Sequence, residues 1–116
     1  MNDETITIEF KFPWSMMPLE SAGEWIDAVS GALQNTDPLF GKKLFVSGRH
    51  GSRNLLLVEN DTDNTYAIVS YGVKGNAMEC ATSEIILSRQ ALSDKLRRDF
   101  EEQREKRRGR RPADGR

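Results

Sequence analysis

Residues 55–71 read LLLVENDTDNTYAIVSY, and the fold turns on how that stretch is understood. Leu55-Leu56-Leu57-Val58 and Tyr66-Ala67-Ile68-Val69 are short apolar runs on either side of Glu59-Asn60-Asp61-Thr62-Asp63-Asn64. Runs of this length bounded by Asx-rich segments predict two strands joined by a turn. Asn, Asp and Thr suit the turn because their side chains bond the local backbone and Asn tolerates a left-handed conformation. Both runs are apolar at successive positions, so each strand presents an apolar side chain to both faces of a sheet. They are therefore expected to be central strands, covered by a helix on one side and by something further on the other.

Working outward, strands are predicted near Lys43–Ser47, Asn54–Glu59, Thr65–Tyr71 and Met78–Leu87. Their connectors, Gly48-Arg49-His50-Gly51-Ser52-Arg53 and Gly72-Val73-Lys74-Gly75-Asn76, are short and glycine-rich, which favours an antiparallel meander over parallel crossovers. Thr5-Ile6-Thr7-Ile8-Glu9-Phe10-Lys11-Phe12 alternates without a break and reads as a half-buried first strand ended by Pro13. Between it and the meander, Ala22, Ile26, Val29 and Leu33 recur at helical spacing with Trp25 beside them. That predicts a helix over 19–34, with Ser21 to Glu24 as its capping box and Asp37-Pro38 as its stop. Ser88 opens a second helix whose Leu92, Leu96 and Phe100 form a narrow apolar stripe set against one edge of the body. The expected fold class is α+β: a four- to five-stranded, mostly antiparallel sheet in the order β-α-β-β-β-β-α, with two helices. Residues 1–103 are expected to form one domain, and 104–116, which lack large apolar residues, a basic disordered tail.

The chain's 116 residues, 37% hydrophobic and 30% charged, fit one core. Its net charge of −1 conceals an asymmetry, because Arg104, Lys106, Arg107, Arg108, Arg110, Arg111 and Arg116 crowd the last thirteen residues. The body before them carries an excess of carboxylates. No stretch has the length or apolarity of a membrane span, and the acidic start does not resemble an export signal, so a cytoplasmic, membrane-free protein is expected. The lone Cys80 cannot form an internal disulfide.

Catalytic chemistry finds little support. His50 is the only histidine, expected in an exposed loop, and Cys80 falls in a strand. Nothing in their spacing brings them together as nucleophile and base. As a calcium loop the acidic turn fails, since Tyr66 occupies the position of the bend glycine and Gly72 that of the bidentate glutamate, counting from Asp61. No phosphate loop is present. The expectation is a non-enzymatic protein with no metal and no cofactor. Its candidate partner-binding residues are Glu59, Asp61, Asp63 and Tyr66 at the acidic hairpin, then Trp14 and Arg49. Met16-Met17 beside Trp14 cap the core or, as methionine does at adaptable interfaces, meet a partner.

Across PLESAGEWIDAVSGAL, DPLFGKKLFVSGRH and LLLVENDTDNTYAIVSY (residues 14–88, roughly), the order of helix, Asp-Pro-Leu-Phe-Gly connector and meander with an acidic turn resembles the small acidic immunity proteins of bacterial contact-dependent and polymorphic toxin systems. That resemblance implies a cytosolic inhibitor that binds a cognate toxin domain, often a basic nuclease, through an acidic face. Two other readings stand beside it. One is a secretion or assembly chaperone, which would be a homodimer with an exposed apolar strip. The other is a nucleic-acid accessory protein using Arg107, Arg108, Arg110 and Arg111 on phosphate.

Overall fold

A computed structural model of the chain describes residues 7–110, with side chains as far as Lys106. The elements are β1 (Trp14–Met16), α1 (Leu19–Ala32), β2 (Leu44–His50), β3 (Leu55–Asn60), β4 (Thr65–Lys74), β5 (Ala77–Ile86) and α2 (Arg89–Arg110). The strands form one open antiparallel sheet in the order β1-β2-β3-β4-β5. The fold is α+β in the expected element order.

The double-sided apolarity of the central strands is explained by two cores. Leu56, Val58, Ala67 and Val69 point to one face and pack with Ala22, Val29 and Leu33 of α1. Leu57 and Ile68 point to the other and pack with Leu92 and Leu96 of α2, together with Trp14 and Ile86. Removing each of the buried Val, Leu and Ile side chains from water contributes about 1.5–3 kcal/mol. The second helix thus lies across a sheet face, which corrects its expected place at an edge. Its backbone stays helical as far as Arg110, past the point at Gln103 where apolar residues cease. Burial ends where apolar residues end, but helical hydrogen bonding does not require them. The remainder of the expected tail, 111–116, lies outside the described residues.

The first strand also needs correction. Residues 5 and 6 lie outside the described set; 7–13 form no strand, and the ladder to β2 is made by Trp14–Met16 instead. The alternation of Ile8 and Phe10 reports burial rather than pairing, since both pack against the α2-side core. The Phe10 ring covers Gly48, where an added Cβ would collide with it. This close approach explains glycine at that position. At α1, the capping box does not form: Pro18 is the N-cap residue and no side chain caps the helix. Helical geometry begins two residues before Ser21, so the serine is already inside the first turn. The expected loop 48–53 is shortened too, because Gly48, Arg49 and His50 belong to β2.

Two irregularities shape the sheet. The register shifts between Val46 and Gly48, leaving Ser47 as the extra residue, and Ser83 is the corresponding extra residue opposite Ile68 and Val69. In each case the serine hydroxyl donates to a carbonyl of the neighbouring strand, Ser47 to Leu57 at 3.4 Å and Ser83 to Ile68 at 3.2 Å. Bulges increase local twist, and here the bulged residue itself satisfies a neighbouring acceptor.

Candidate functional site

The acidic hairpin is built around Asn60, whose side chain is buried. Its Oδ1 accepts the backbone N–H groups of Thr62 and Asp63 at 3.0 and 3.2 Å, while its Nδ2 donates to Asp63 Oδ2 at 3.0 Å. Asn64 completes the turn with φ 60°. The tip is also tied to the chain entering β2. Asp61 N–H donates to the Lys43 carbonyl at 2.8 Å, and Lys43 N–H donates to Thr62 Oγ1 at 2.8 Å. The turn is a fixed structure whose polar groups largely serve one another.

This limits its free charge. Lys42 Nζ lies 3.1 Å from Asp63 Oδ2, and the hydrogen bonds from Lys42 and Asn60 lower the pKa of that carboxyl. Glu59 is half-buried and stands opposite Tyr66 on the α2 side of the sheet. Burial raises its pKa, Asp61 adds to the effect, and Ser47 and Arg89 oppose it. Arg89 also donates to the Tyr66 hydroxyl at 3.4 Å. Asp61 is the exposed carboxylate of the turn that has no ion pair among the described residues.

The other two candidates lie elsewhere. Trp14 is 2% exposed and serves the core, its Nε1–H donating to Asp99 Oδ2 at 2.8 Å. Arg49 is exposed on β2, five residues beyond Leu44, which faces the hairpin end at Asn60. At about 3.3 Å per residue, that is roughly 16 Å along the strand. The structure therefore brings together Glu59, Tyr66, Asp61 and Asp63 but joins neither Trp14 nor Arg49 to them.

His50 and Cys80 do not converge. His50 lies against Trp14 on the α2 side of β2, with ring centroids 5.1 Å apart at 80°. Cys80 is buried in the α1-side core on β5. His50 Nδ1 accepts the N–H groups of Ser52 and Arg53 at 3.1 and 3.0 Å, so protonation at that nitrogen would break both bonds. Burial and then Arg53 lower the His50 pKa, against the pull of Asp99. Burial, with Asp37 nearby, raises that of the Cys80 thiol, which disfavours the thiolate. No group of three His, Cys, Asp or Glu residues placed to hold a metal occurs among the described residues. No described helix is long and apolar enough to cross a membrane. The arginines of the nucleic-acid reading fall where side chains are not described (107–110) or outside the described residues (Arg111).

Sequence reasoning passed over a second acidic surface. Glu20, Glu24 and Asp27 are all exposed on α1, and none has an ion-pair partner among the described residues. Their spacing of four and then three residues sets them along one helical face. The signal was available: α1 contains no basic residue at all. The inward face of the same helix is fixed by Ala22 and Val29, so the three carboxylates are carried on a packed support. No protein-family model, curated protein or solved structure matches the chain.

Proposed function

We propose that the chain is a non-enzymatic binding protein of the immunity type, holding a basic partner such as a nuclease domain against acidic surface. The observation that carries this reading is the row of exposed carboxylates on α1 that, like Asp61 at the hairpin tip, have no ion pair among the described residues. A phosphate-binding partner must display positive charge, and a complementary field speeds encounter and fixes orientation. At physiological salt the field decays over about 8 Å, so these side chains act at contact range. Because α1 is packed on the sheet, presenting them requires no reordering of the backbone.

Reversing two of these charges, Glu24→Lys with Asp27→Lys, is expected to weaken partner binding by about tenfold or more, while stability changes by less than about 0.5 kcal/mol. Asp61→Ala with Asp63→Ala is expected to have a smaller effect, because Lys42 already neutralises Asp63. The measurement is titration calorimetry, at two salt concentrations, against the protein captured from native cells and then purified. That protein should also carry a toxic or hydrolytic activity that the full chain suppresses. Equal affinity for wild type and the charge-reversed variant would remove the basis of the reading.

A further inference from the structure

The two edges of the sheet are treated differently. At the middle of β5 the outer edge is occupied: Leu33 bridges to Cys80, and Asp37 Oδ2 accepts the Thr82 N–H at 2.8 Å. No comparable segment pairs with the outer side of β1 among the described residues. On its inner side, Gly51 N–H donates to the Pro13 carbonyl and Met17 N–H to that of Ser47. Antiparallel alternation then turns the N–H and C=O of Ser15 toward Arg49, and those of Met16 away from β2.

Two large apolar side chains flank this bare edge. Met16 on β1 and Leu19 at the start of α1 are 68% and 80% exposed. A cavity of about 310 Å³ opens beside them, lined by Ser15, Met16, Pro18, Trp25 and Arg49 among others. The patch also holds both signs of charge. Arg49, across the ladder from Ser15, has no ion pair among the described residues, and neither has Glu20, which follows Leu19 in the first turn of α1.

We propose that this edge is a homodimer interface, on which β1 of a second copy pairs antiparallel about a two-fold axis. Met16 then exchanges backbone hydrogen bonds with its counterpart, Met16 and Leu19 are buried, and Arg49 of each copy meets Glu20 of the other. A two-fold contact sets one patch against itself, so it is favourable only where that patch is self-complementary. A wholly acidic or wholly basic partner would leave Arg49 or Glu20 facing like charge. An unpaired edge flanked by exposed apolar residues is otherwise a hazard that proteins cover or charge. The contact takes Glu20 from the α1 row and leaves Glu24, Asp27 and Asp61 outside it, and the pairing of β1 edges does not depend on the partner reading above.

Sedimentation equilibrium of the full chain, from roughly 10 to 500 μM, is expected to give a mass rising from one chain toward two. Met16→Asp with Leu19→Asp should return a folded monomer, since both side chains are exposed within one copy; circular dichroism checks the fold. Arg49→Glu and Glu20→Arg should each weaken association by about tenfold or more. Combined in one chain they should restore it, because the reversed charges again face each other. The proposal is overturned if wild type stays monomeric across the range, if the dimer survives Met16→Asp with Leu19→Asp, or if the combined swap fails to recover what the single changes lose.

Discussion

Replacing Trp14 with alanine is expected to lower the unfolding free energy by about 3–5 kcal/mol, a large share of the roughly 5–15 kcal/mol available to a domain of this size. The indole is 2% exposed and joins β1 to β3, β4 and α2 at once. It stands on β1, packs with Leu57, Ile68, Leu92 and Leu96, and hydrogen-bonds through Nε1 to Asp99 of α2. Removing it opens a cavity under α2 and leaves Asp99 with Lys95 as its remaining partner, 3.4 Å away. Trp14→Phe separates the two contributions: it keeps most of the packing, loses the hydrogen bond, and should cost about 1–2 kcal/mol. Urea unfolding of the three proteins measures both. If phenylalanine proves as damaging as alanine, the indole N–H matters more than the ring, and the packing account is wrong.

Asp37→Ala is expected to cost about 2–3 kcal/mol and to expose the β5 edge. The Asp37 carboxylate accepts three hydrogen bonds, from Thr82 N–H at 2.8 Å, Thr82 Oγ1–H at 2.5 Å and Leu39 N–H at 2.9 Å. These tie the α1–β2 connector to the outermost strand, over Cys80. The alkylation rate of Cys80 should therefore rise in the variant, and an unchanged rate would show that Asp37 is no clasp. Acid should act in the same direction. Burial tends to raise this carboxyl's pKa, but the bonds from Thr82 and Leu39 outweigh it and hold the pKa below 3.8. The group's stabilisation is thus complete above the unfolded value and is lost as pH falls below 3.8 through the folded one. Asp37→Ala should flatten that part of the acid-unfolding curve.

Much of the fold could be read from the sequence because the hydrophobic pattern states which residues are buried and the turn residues state where the chain reverses. Leu55 to Val58 and Tyr66 to Val69 behave in this way, and the stripe from Ala22 to Leu33 does so for α1. Where pattern and hydrogen bonding diverge, the reading shifts. Ile8 and Phe10 alternate because one side of that segment lies on the α2-side core, yet the ladder to β2 is made by Trp14–Met16. Gly48, Arg49 and His50 look like a loop because none is apolar, but they pair as strand, with Phe10 filling the space above Gly48. The site was less legible for a related reason. Counting carboxylates located the hairpin, but the Lys42 to Asp63 ion pair and the burial of Glu59 depend on contacts across the sheet. The α1 row was local and could have been found from Glu20, Glu24 and Asp27 alone.

The division of the interior by the sheet has a dynamic consequence. The α1-side core holds twelve buried side chains and the α2-side core six among the described residues, with Leu92 and Leu96 the buried apolar anchors of α2, and the charged second half of that helix extends past them. The layers share strand backbones but no side chains, so α2 can detach in a sub-global opening while α1 and the meander stay assembled. Amide protection should then fall into two tiers, with α2 exchanging at a lower free energy than β3 and β4, and the acidic face of α1 held in place throughout.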